Sequence, residues 1–323
     1  MKEMDNFRIS VAPMMGWTDK HDRYFLRLIS PSIWLYTVML TTGALINGDA
    51  EFHLQYNDEE HPVALQLGGS DPQDMAAATK IANKYNYDEI NINCGCPSER
   101  VQRGAFGACL MAEPTRVAEC VDAMKQVTDT PVTVKTRIGI DEQDSYEFLT
   151  DFVGTIAEKG CELFIIHARK AWLNGLSPKD NRTIPPLNWD RVYQLKRDFP
   201  HLKIELNGGI KTIEHIKEAI PYCDGAMIGR EAYQNPYFLA EIEREIYNND
   251  SPLTRPDVIE GLKPYVQNEL KKGTALKDIT RHILGLFHGQ YGGRLWRRTL
   301  SELAFQDGQD ETLLDLALSH VKR

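Results

Sequence analysis

Short runs of apolar residues recur eight times along the first three quarters of the chain, and most are followed by apolar residues at helical spacing. This alternation is typical of β-strands separated by amphipathic helices. We predict strands at residues 8–14, 33–39, 62–68, 87–94, 131–138, 161–168, 202–208 and 224–230. We predict helices at 19–30, 71–85, 113–128, 145–159, 189–199, 211–220 and 234–247, and a short helix with a polar loop between the second and third strands.

The order of these elements predicts the fold class. Strands that alternate with helices form right-handed βαβ units and a parallel sheet. Eight such units fit an α/β fold of the (β/α)₈ TIM barrel type better than an open doubly wound sheet. An open dinucleotide-binding sheet would usually carry GxGxxG after its first strand, and APMMGWTD at 12–19 does not.

The pattern changes after about residue 249. Residues 249–257 (NDSPLTRPD) have the composition of a linker, and residues 275–287 and 299–308 carry apolar residues at helical spacing. We therefore predict a barrel domain at 1–248 and a C-terminal all-helical domain at 249–323. The polar segment 170–188 is too long for a routine connection, and loops of that length at a barrel mouth often bind ligands.

Composition narrows the setting of the protein. The 323 residues are 42% hydrophobic and 26% charged, and no apolar run is long enough for a membrane span. Six cysteines without framework spacing predict a reduced, cytoplasmic protein, and no metal site is expected from Cys94 and Cys96. The net charge of −9 argues against nucleic-acid binding by the whole surface but allows a local basic face.

Candidate site residues lie at the carboxyl ends of the predicted strands, where a TIM barrel places its catalytic and binding residues. They are Pro13, Met14, Gln66, Asn93, Cys96, Lys135, Arg137, His167, Asn207, Gly208, Gly209, Gly229 and Arg230. Glycines before a helix suit a phosphate bound by backbone N–H groups. A lysine inside an apolar strand needs an anionic partner, and the N1/C2=O edge of a reduced flavin supplies one. Taken together, the residues predict a flavin-phosphate site.

Several of these features have simpler explanations when taken alone. A cysteine in a Gly-Cys-Pro corner is often a buried thiol, Asn-Gly-Gly is often only a turn, and Gln66 could be a hydrogen-bonded polar residue near the core. Their joint occurrence at one end of the strands favours a site.

Seven motifs together resemble the tRNA-dihydrouridine synthases, specifically the A subfamily, from about residue 8 to 305. They are APMMGWTD, QLGG, NINCGCPSERVQRGAFGACLM, VKTRIGID, HARKAWLNGLSPKDNR, LNGGI and MIGREAYQNP. The resemblance implies FMN, NADPH as reductant, and reduction of the C5=C6 bond of a tRNA uridine to dihydrouridine. It also implies that the target lies in the D-loop, at positions 20 and 20a.

The resemblance assigns roles to individual residues. Cys96 would be the general acid that protonates C5, and it must therefore carry its proton before the step. Ala12, Pro13, Met14, Gln66, Lys135, His167, Asn207, Gly208, Gly209, Gly229 and Arg230 would line the FMN. Asn93 would face the uracil and the flavin together. Cys94 stands where valine or methionine is common in the family, and we expect it to be a packing residue.

A tRNA partner requires positive charge. The stretch 280–301 has four arginines, Arg281, Arg294, Arg297 and Arg298, without any acid, and Tyr291 and Trp296 lie between them. Such a run is often only a solvated helix face. Lys179 and Arg182 in the 170–188 loop form a second candidate. We expect Lys179, Arg182, Arg294 and Arg297 to bind tRNA, and we expect the protein to be a monomer.

Three other functions stay open. An FMN barrel acting on a small pyrimidine, like dihydroorotate dehydrogenase, would share the flavin site but would not use the basic tail. A lyase barrel would use Lys135 as a Schiff-base lysine and would be colourless. A tRNA-binding protein without catalysis would explain neither Cys96 nor Lys135.

Overall fold

The computed structural model describes residues 7–306 and 308–321. Its strands are β1 Arg8–Val11, β2 Leu35–Tyr36, β3 Leu40–Thr41, β4 Val63–Gly68, β5 Glu89–Cys94, β6 Val132–Arg137, β7 Leu163–His167, β8 Lys203–Asn207 and β9 Gly225–Ile228. Residues 1–6 of the predicted barrel domain, and residues 307, 322 and 323 of the predicted helical domain, lie outside the described residues.

The helices connect these strands and form the C-terminal region. They are α1 Lys20–Ile29, α2 Thr42–Asn47, α3 Ala50–His53, α4 Pro72–Ala82, α5 Glu99–Arg103, α6 Pro114–Lys125, α7 Tyr146–Ala157, α8 Trp189–Asp198, α9 Ile213–Ala219, α10 Arg230–Gln234, α11 Phe238–Glu245, α12 Arg255–Lys271, α13 Leu276–Thr280, α14 Gly293–Leu303 and α15 Thr312–Ser319. Short 3₁₀ turns lie at Asp58–Glu60, Asn83–Tyr85, Gly107–Ala112 and Asp180–Arg182.

The strands form one parallel sheet that closes on itself. Its order is β1-β9-β8-β7-β6-β5-β4-β2, with β3 also paired to β4. A parallel bridge between Ser10 and Trp34 closes the ring, and the Trp34 N–H donates to the carbonyl of Ile9 over 2.9 Å. The predicted TIM barrel is therefore confirmed, and the carboxyl ends of its strands meet at one mouth.

Local signals explain why the helices begin where they do. Asp19 caps α1, Asp71 caps α4 with Pro72 in the first turn, and Ser145 caps α7, each through a side-chain oxygen that accepts backbone N–H groups. Such caps satisfy donors that a helix leaves open at its start. Strands β4 and β5 are buried at every position, as expected for a sheet covered on both faces.

Three local predictions are wrong. The helix predicted at 234–247 is observed only as α11 at Phe238–Glu245, because Pro236 prevents the chain from continuing α10, which ends at Gln234. The strand predicted at 33–39 is only two residues long, and β3 follows it as an additional strand. The helical pattern at 275–287 ends at Thr280, and residue 285 must be glycine because a Cβ there would lie 2.6 Å from the carbonyl oxygen of Gln234.

The C-terminal helices pack directly on the barrel. Tyr265 of α12 stacks on Tyr24 of α1 at 4.0 Å between ring centroids, and the guanidinium of Arg255 lies 3.8 Å above the ring of Tyr237. Within the described part of 249–323 there is no strand. The division into two domains at residue 249 stays a prediction, with Thr254 capping α12 just beyond it.

Candidate active site

The loop after β5 presents Cys96 at the mouth of the barrel. The Asn93 side-chain oxygen accepts the N–H groups of Gly95 and Cys96 over 3.1 and 3.0 Å. The Cys96 carbonyl accepts the N–H of Ala108 over 2.9 Å. Gly107 has a φ of 80° and approaches Cys96 so closely that a Cβ would lie 2.6 Å from the same carbonyl. The loop is therefore pinned from both sides.

The two neighbouring thiols differ in their exposure. Cys94 is the last residue of β5 and is fully buried, whereas Cys96 is partly exposed, with its sulfur 3.5 Å from the hydroxyl of Ser98. Burial raises the pKa of Cys94 well above its usual range. Of the two thiols, only Cys96 is placed to meet a substrate in the mouth.

Lys135 and Asn207 meet across the mouth. The Nζ of Lys135 donates to Oδ1 of Asn207 over 3.0 Å, and Nδ2 of Asn207 donates to the carbonyl of Met227 over 2.8 Å. Burial and, to a smaller extent, the charge of Arg137 lower the pKa of Lys135 to about 7. The lysine thus has a neutral partner where an anion would stabilise its charge.

A neutral imidazole and further cationic side chains surround this lysine. Burial lowers the pKa of His167 well below its usual value, and the charges of Arg137 and Lys135 add to the effect. Nη2 of Arg230 donates to the carbonyl of Arg182 over 3.3 Å. Within the described residues, no carboxylate forms an ion pair with Lys135, Arg137, His167, Arg182 or Arg230; the ion-paired carboxylates contact other basic residues. Such a cluster fits a phosphate or another anionic group.

The glycines at the mouth have different settings. Gly208 and Gly209 have φ values of 105° and 82°, and a Cβ on Gly208 would lie 2.7 Å from Cδ2 of His167. This turn therefore needs glycine. The helix predicted at 211–220 begins at Ile213, four residues after Gly209. Gly229 does precede α10 directly, and the space around its α-carbon is open.

The remaining predicted cofactor residues lie at the same end of the barrel. Ala12 follows β1 and donates its N–H to the carbonyl of Ile228 over 2.8 Å, next to Gly229. Pro13 and Met14 come directly after it, and the N–H of Met14 donates to the hydroxyl of Thr18 over 2.9 Å. Gln66 is buried in β4, and its side-chain oxygen accepts Nδ2 of Asn93 over 2.9 Å.

Arg137 has a role that the sequence did not reveal. Its guanidinium is buried and donates to the carbonyls of Gly95 (2.8 Å), Lys170 (3.1 Å) and Asn181 (3.1 Å). Burial lowers its pKa to about 10, and the charges of Arg182 and Arg169 contribute to this shift. Arg137 therefore ties the Cys96 loop to the 170–188 loop. The only signal in the sequence was a second charged residue at the end of an apolar strand.

Two of the four arginines in the basic stretch 280–301 already have partners within the protein. Arg281 forms an ion pair with Asp19 and donates to the carbonyl of Gly16, and Arg298 pairs with Glu302 on the same helix. Trp296 is buried and donates to the carbonyl of Ile283 over 3.1 Å. The interpretation of Trp296 as an interleaved nucleic-acid aromatic is therefore wrong, because it is a core residue.

Four exposed cations remain as candidates for binding a polyanion. Arg294 and Arg297 lie three residues apart on α14 and are exposed, whereas Trp296 and Leu300 on the same helix are buried. Lys179 and Arg182 are exposed on the 170–188 loop, and Arg182 lies beside Arg230 at the mouth. In the part of the chain that the structure describes, no helix is long and apolar enough to cross a bilayer.

The fold and the mouth define a (β/α)₈ barrel with a thiol, paired amides and clustered cations at its catalytic end. The family model described as "Dihydrouridine synthase (Dus)" matches residues 10–322. The chain therefore belongs to the dihydrouridine synthase family.

Relatives of known name cover nearly the whole chain. Proteins named "tRNA-dihydrouridine(20/20a) synthase" from Vibrio vulnificus and Vibrio cholerae are 58% and 59% identical over 316 residues, covering 97% of this chain and 97% and 96% of theirs. The protein of the same name from Escherichia coli is 59% identical over 316 residues, which is 97% of this chain and 91% of the other.

Two solved structures share the fold. A 2-naphthoyl-CoA reductase complex has a TM-score of 0.57 at 12% identity, covering 74% of this chain and 50% of its own. An old yellow enzyme homologue from Zymomonas mobilis has a TM-score of 0.54 at 10% identity, covering 76% of this chain and 90% of its own. At these identities the likeness concerns the fold alone.

Proposed function

We propose that this protein is a tRNA-dihydrouridine synthase that reduces the C5=C6 bond of D-loop uridines at positions 20 and 20a, the positions in its relatives' names. Membership of the family supports the reaction. The observation that carries it is the meeting of three features at one barrel mouth: the partly exposed thiol of Cys96, the amides of Gln66 and Asn93, and the cations around Lys135.

The mouth fits FMN as the cofactor. Lys135 has a lowered pKa and donates to a neutral amide, that of Asn207, so the anionic edge of a flavin would stabilise its charge. Gly209, Gly229 and Arg230 would hold the phosphate, with His167 and Gly208 beside them. Ala12, Pro13, Met14, Gln66 and Asn207 complete the lining. When bound, the flavin supplies a hydride; NADPH as the reductant follows from the family resemblance.

Cys96 supplies the proton. Its loop is held by Asn93 and Ala108, so the thiol has a defined position above the mouth. A general acid must carry its proton before the step and release it to carbon C5 as charge develops on the base. Asn93 faces the base and the cofactor from the same strand end.

The tRNA must be held from outside the pocket. A uridine in a folded tRNA has to leave its stack, which costs a few kcal/mol. Lys179 and Arg182 at the mouth and Arg294 and Arg297 on α14 would offset this cost by contacting phosphates. We expect the protein to act in the cytoplasm, to be a monomer, and to elute from a sizing column at the mass of one chain.

The absorption spectrum of the purified protein tests the flavin part of the proposal. The protein should be yellow, and heat should release FMN and not FAD. Colourless protein that cannot be reconstituted with FMN would refute the proposal and leave the Schiff-base lyase as the alternative. Yellow protein that reduces a free pyrimidine and binds tRNA no better at low salt than at high salt would favour the small-pyrimidine enzyme.

A further inference from the structure

Strand β5 alternates polar and apolar residues, although it is buried on both faces. Such strands usually consist of a continuous apolar run. Glu89, Asn91 and Asn93 point to one face, and the apolar residues between them point to the other. All three polar side chains are buried. The polar face is the inside of the barrel, because residues from several strands meet it there.

The floor of the barrel is closed by a buried carboxylate. Glu89 forms an ion pair with Arg8 over 2.6 Å. It also accepts the hydroxyls of Tyr36 and Thr133, each over 2.6 Å. Ionic and neutral donors thus converge on one acceptor below the mouth.

From this carboxylate a chain of hydrogen bonds runs up the barrel to the catalytic loop. Asn91 Nδ2 donates to Thr133 Oγ1 (2.8 Å), Gln66 Nε2 donates to Asn91 Oδ1 (2.8 Å), and Asn93 Nδ2 donates to Gln66 Oε1 (2.9 Å). At the top, Asn93 Oδ1 accepts the backbone N–H groups of Gly95 and Cys96. Every bond in the chain points the same way.

The two ends make this direction unambiguous. A backbone N–H can only donate, so Asn93 must offer its oxygen to Cys96 and its NH₂ to Gln66. A carboxylate paired with an arginine can only accept, so Thr133 must donate to Glu89 and accept from Asn91. The amides between the ends have no freedom to turn over without breaking two bonds.

We propose that Glu89, Thr133 and Asn91 are positioning residues that fix the polarity of the Gln66 and Asn93 amides, so that both offer N–H donors to the mouth. Each primary amide has two N–H groups and the chain uses one. The second donor of each amide suits a carbonyl oxygen or the anionic edge of a flavin or uracil. This inference rests on the proposed function.

The test breaks the chain at its centre with a near-isosteric change. In Thr133→Val, Asn91 loses its acceptor, so the lower end of the chain is no longer anchored to Glu89 and only the N–H groups of Gly95 and Cys96 still orient the amides. We expect kcat for dihydrouridine formation to fall roughly tenfold, less than the roughly 10²–10³-fold typical of removing a donor outright. KM for tRNA should be unchanged, and the midpoint potential of the bound flavin should become more negative. Thr133→Ser should restore both.

Thr136→Val is the matched control. Thr136 lies on the same strand and is buried, but its hydroxyl donates to the carbonyl of Cys94, outside the chain. If the wild-type protein is an active flavoprotein and Thr133→Val behaves as Thr136→Val does, the inference is wrong while the proposed function stands. If the wild-type protein binds no flavin, both fail.

A measurement on the wild-type protein covers the case in which Thr133→Val does not fold. Neutron diffraction from deuterated crystals locates the N–D groups of side-chain amides. We expect those of Asn93 toward Gln66 and those of Gln66 toward Asn91. The reverse orientation at either residue would overturn the inference.

Discussion

The Nζ of Lys135 lies 3.0 Å from Oδ1 of Asn207, so a lysine at the mouth of the barrel is paired with a neutral amide. Burial and the nearby charge of Arg137 lower its pKa to about 7. Near neutral pH this lysine is therefore less protonated than an ordinary lysine. Binding of an anion beside it should raise its pKa, and the proton that it then takes up can be measured.

The first prediction follows from that pKa. A lysine with a pKa of about 7 is mostly neutral at roughly pH 8, and an anionic ligand favours its protonated form. FMN binding to flavin-free protein at about pH 8 should therefore take up a proton, and this uptake should disappear as the pH falls well below 7. Calorimetry in two buffers of different ionisation enthalpy measures it.

Two lysine variants show whether Lys135 is the group that takes up the proton. Lys135→Met should remove the proton uptake and weaken FMN binding. Lys179→Met changes an exposed lysine on the 170–188 loop and should keep the uptake. Equal uptake in the wild type and in Lys135→Met would mean that another group takes the proton.

The second prediction distinguishes the two neighbouring cysteines. Cys96→Ala should keep its flavin and its NADPH oxidation, while dihydrouridine formation falls by roughly 10²–10⁴, the usual range for losing a general acid. Cys94→Ala is the control because Cys94 is fully buried, and it should lower stability but not turnover. Quantifying dihydrouridine by mass spectrometry decides between them; loss of turnover only in Cys94→Ala would show that the wrong thiol was chosen.

The third prediction concerns how tRNA is held. Arg294 and Arg297 are exposed on α14, so changing both to alanine should weaken tRNA binding. Each lost phosphate contact should reduce the slope of log K against log salt concentration by roughly 0.9 or less. Arg298→Ala is the matched control, because Arg298 pairs with Glu302 on the same helix. Identical slopes in all three proteins would exclude α14 from the interface.

The fourth prediction is that Arg281 contributes to the stability of the protein, whereas the exposed Arg294 does not. Arg281 pairs with Asp19 and donates to the carbonyl of Gly16, so it joins the C-terminal region to the loop after β1. Arg281→Ala should destabilise the protein by about 1 kcal/mol, which calorimetry would record as a lower Tm. Arg294→Ala should leave Tm unchanged. The opposite pattern would mean that Arg281 does not join these regions.

Most of the fold was predictable because most strands and helices carry a local pattern in the sequence. Asp19, Asp71 with Pro72, and Ser145 mark helix starts, and apolar runs mark the strands. A strand at 33–39 was predicted, but the two-residue length of β2 and the additional strand β3 were not predictable, since pairing with β4 defines both.

The candidate site was predictable only as far as strand ends reveal it. Cys96, Lys135 and Arg230 could be placed because parallel strands bring their carboxyl ends together. The tether made by Arg137, the burial of Trp296 and the pairing of Arg281 with Asp19 depend on partners far away in the chain. Periodicity along a single segment contains no information about such contacts.

Mapping dihydrouridine in an unmodified tRNA transcript, incubated with the purified protein and NADPH, tests both the reaction and the position of the modified uridine. We expect dihydrouridine at positions 20 and 20a, and formation that is roughly 10²–10⁴-fold slower with Cys96→Ala. Product only at position 16 or 17 would contradict the assignment of the site of modification. A flavin-loaded protein that oxidises NADPH but forms no dihydrouridine in any tRNA would contradict the proposed function itself.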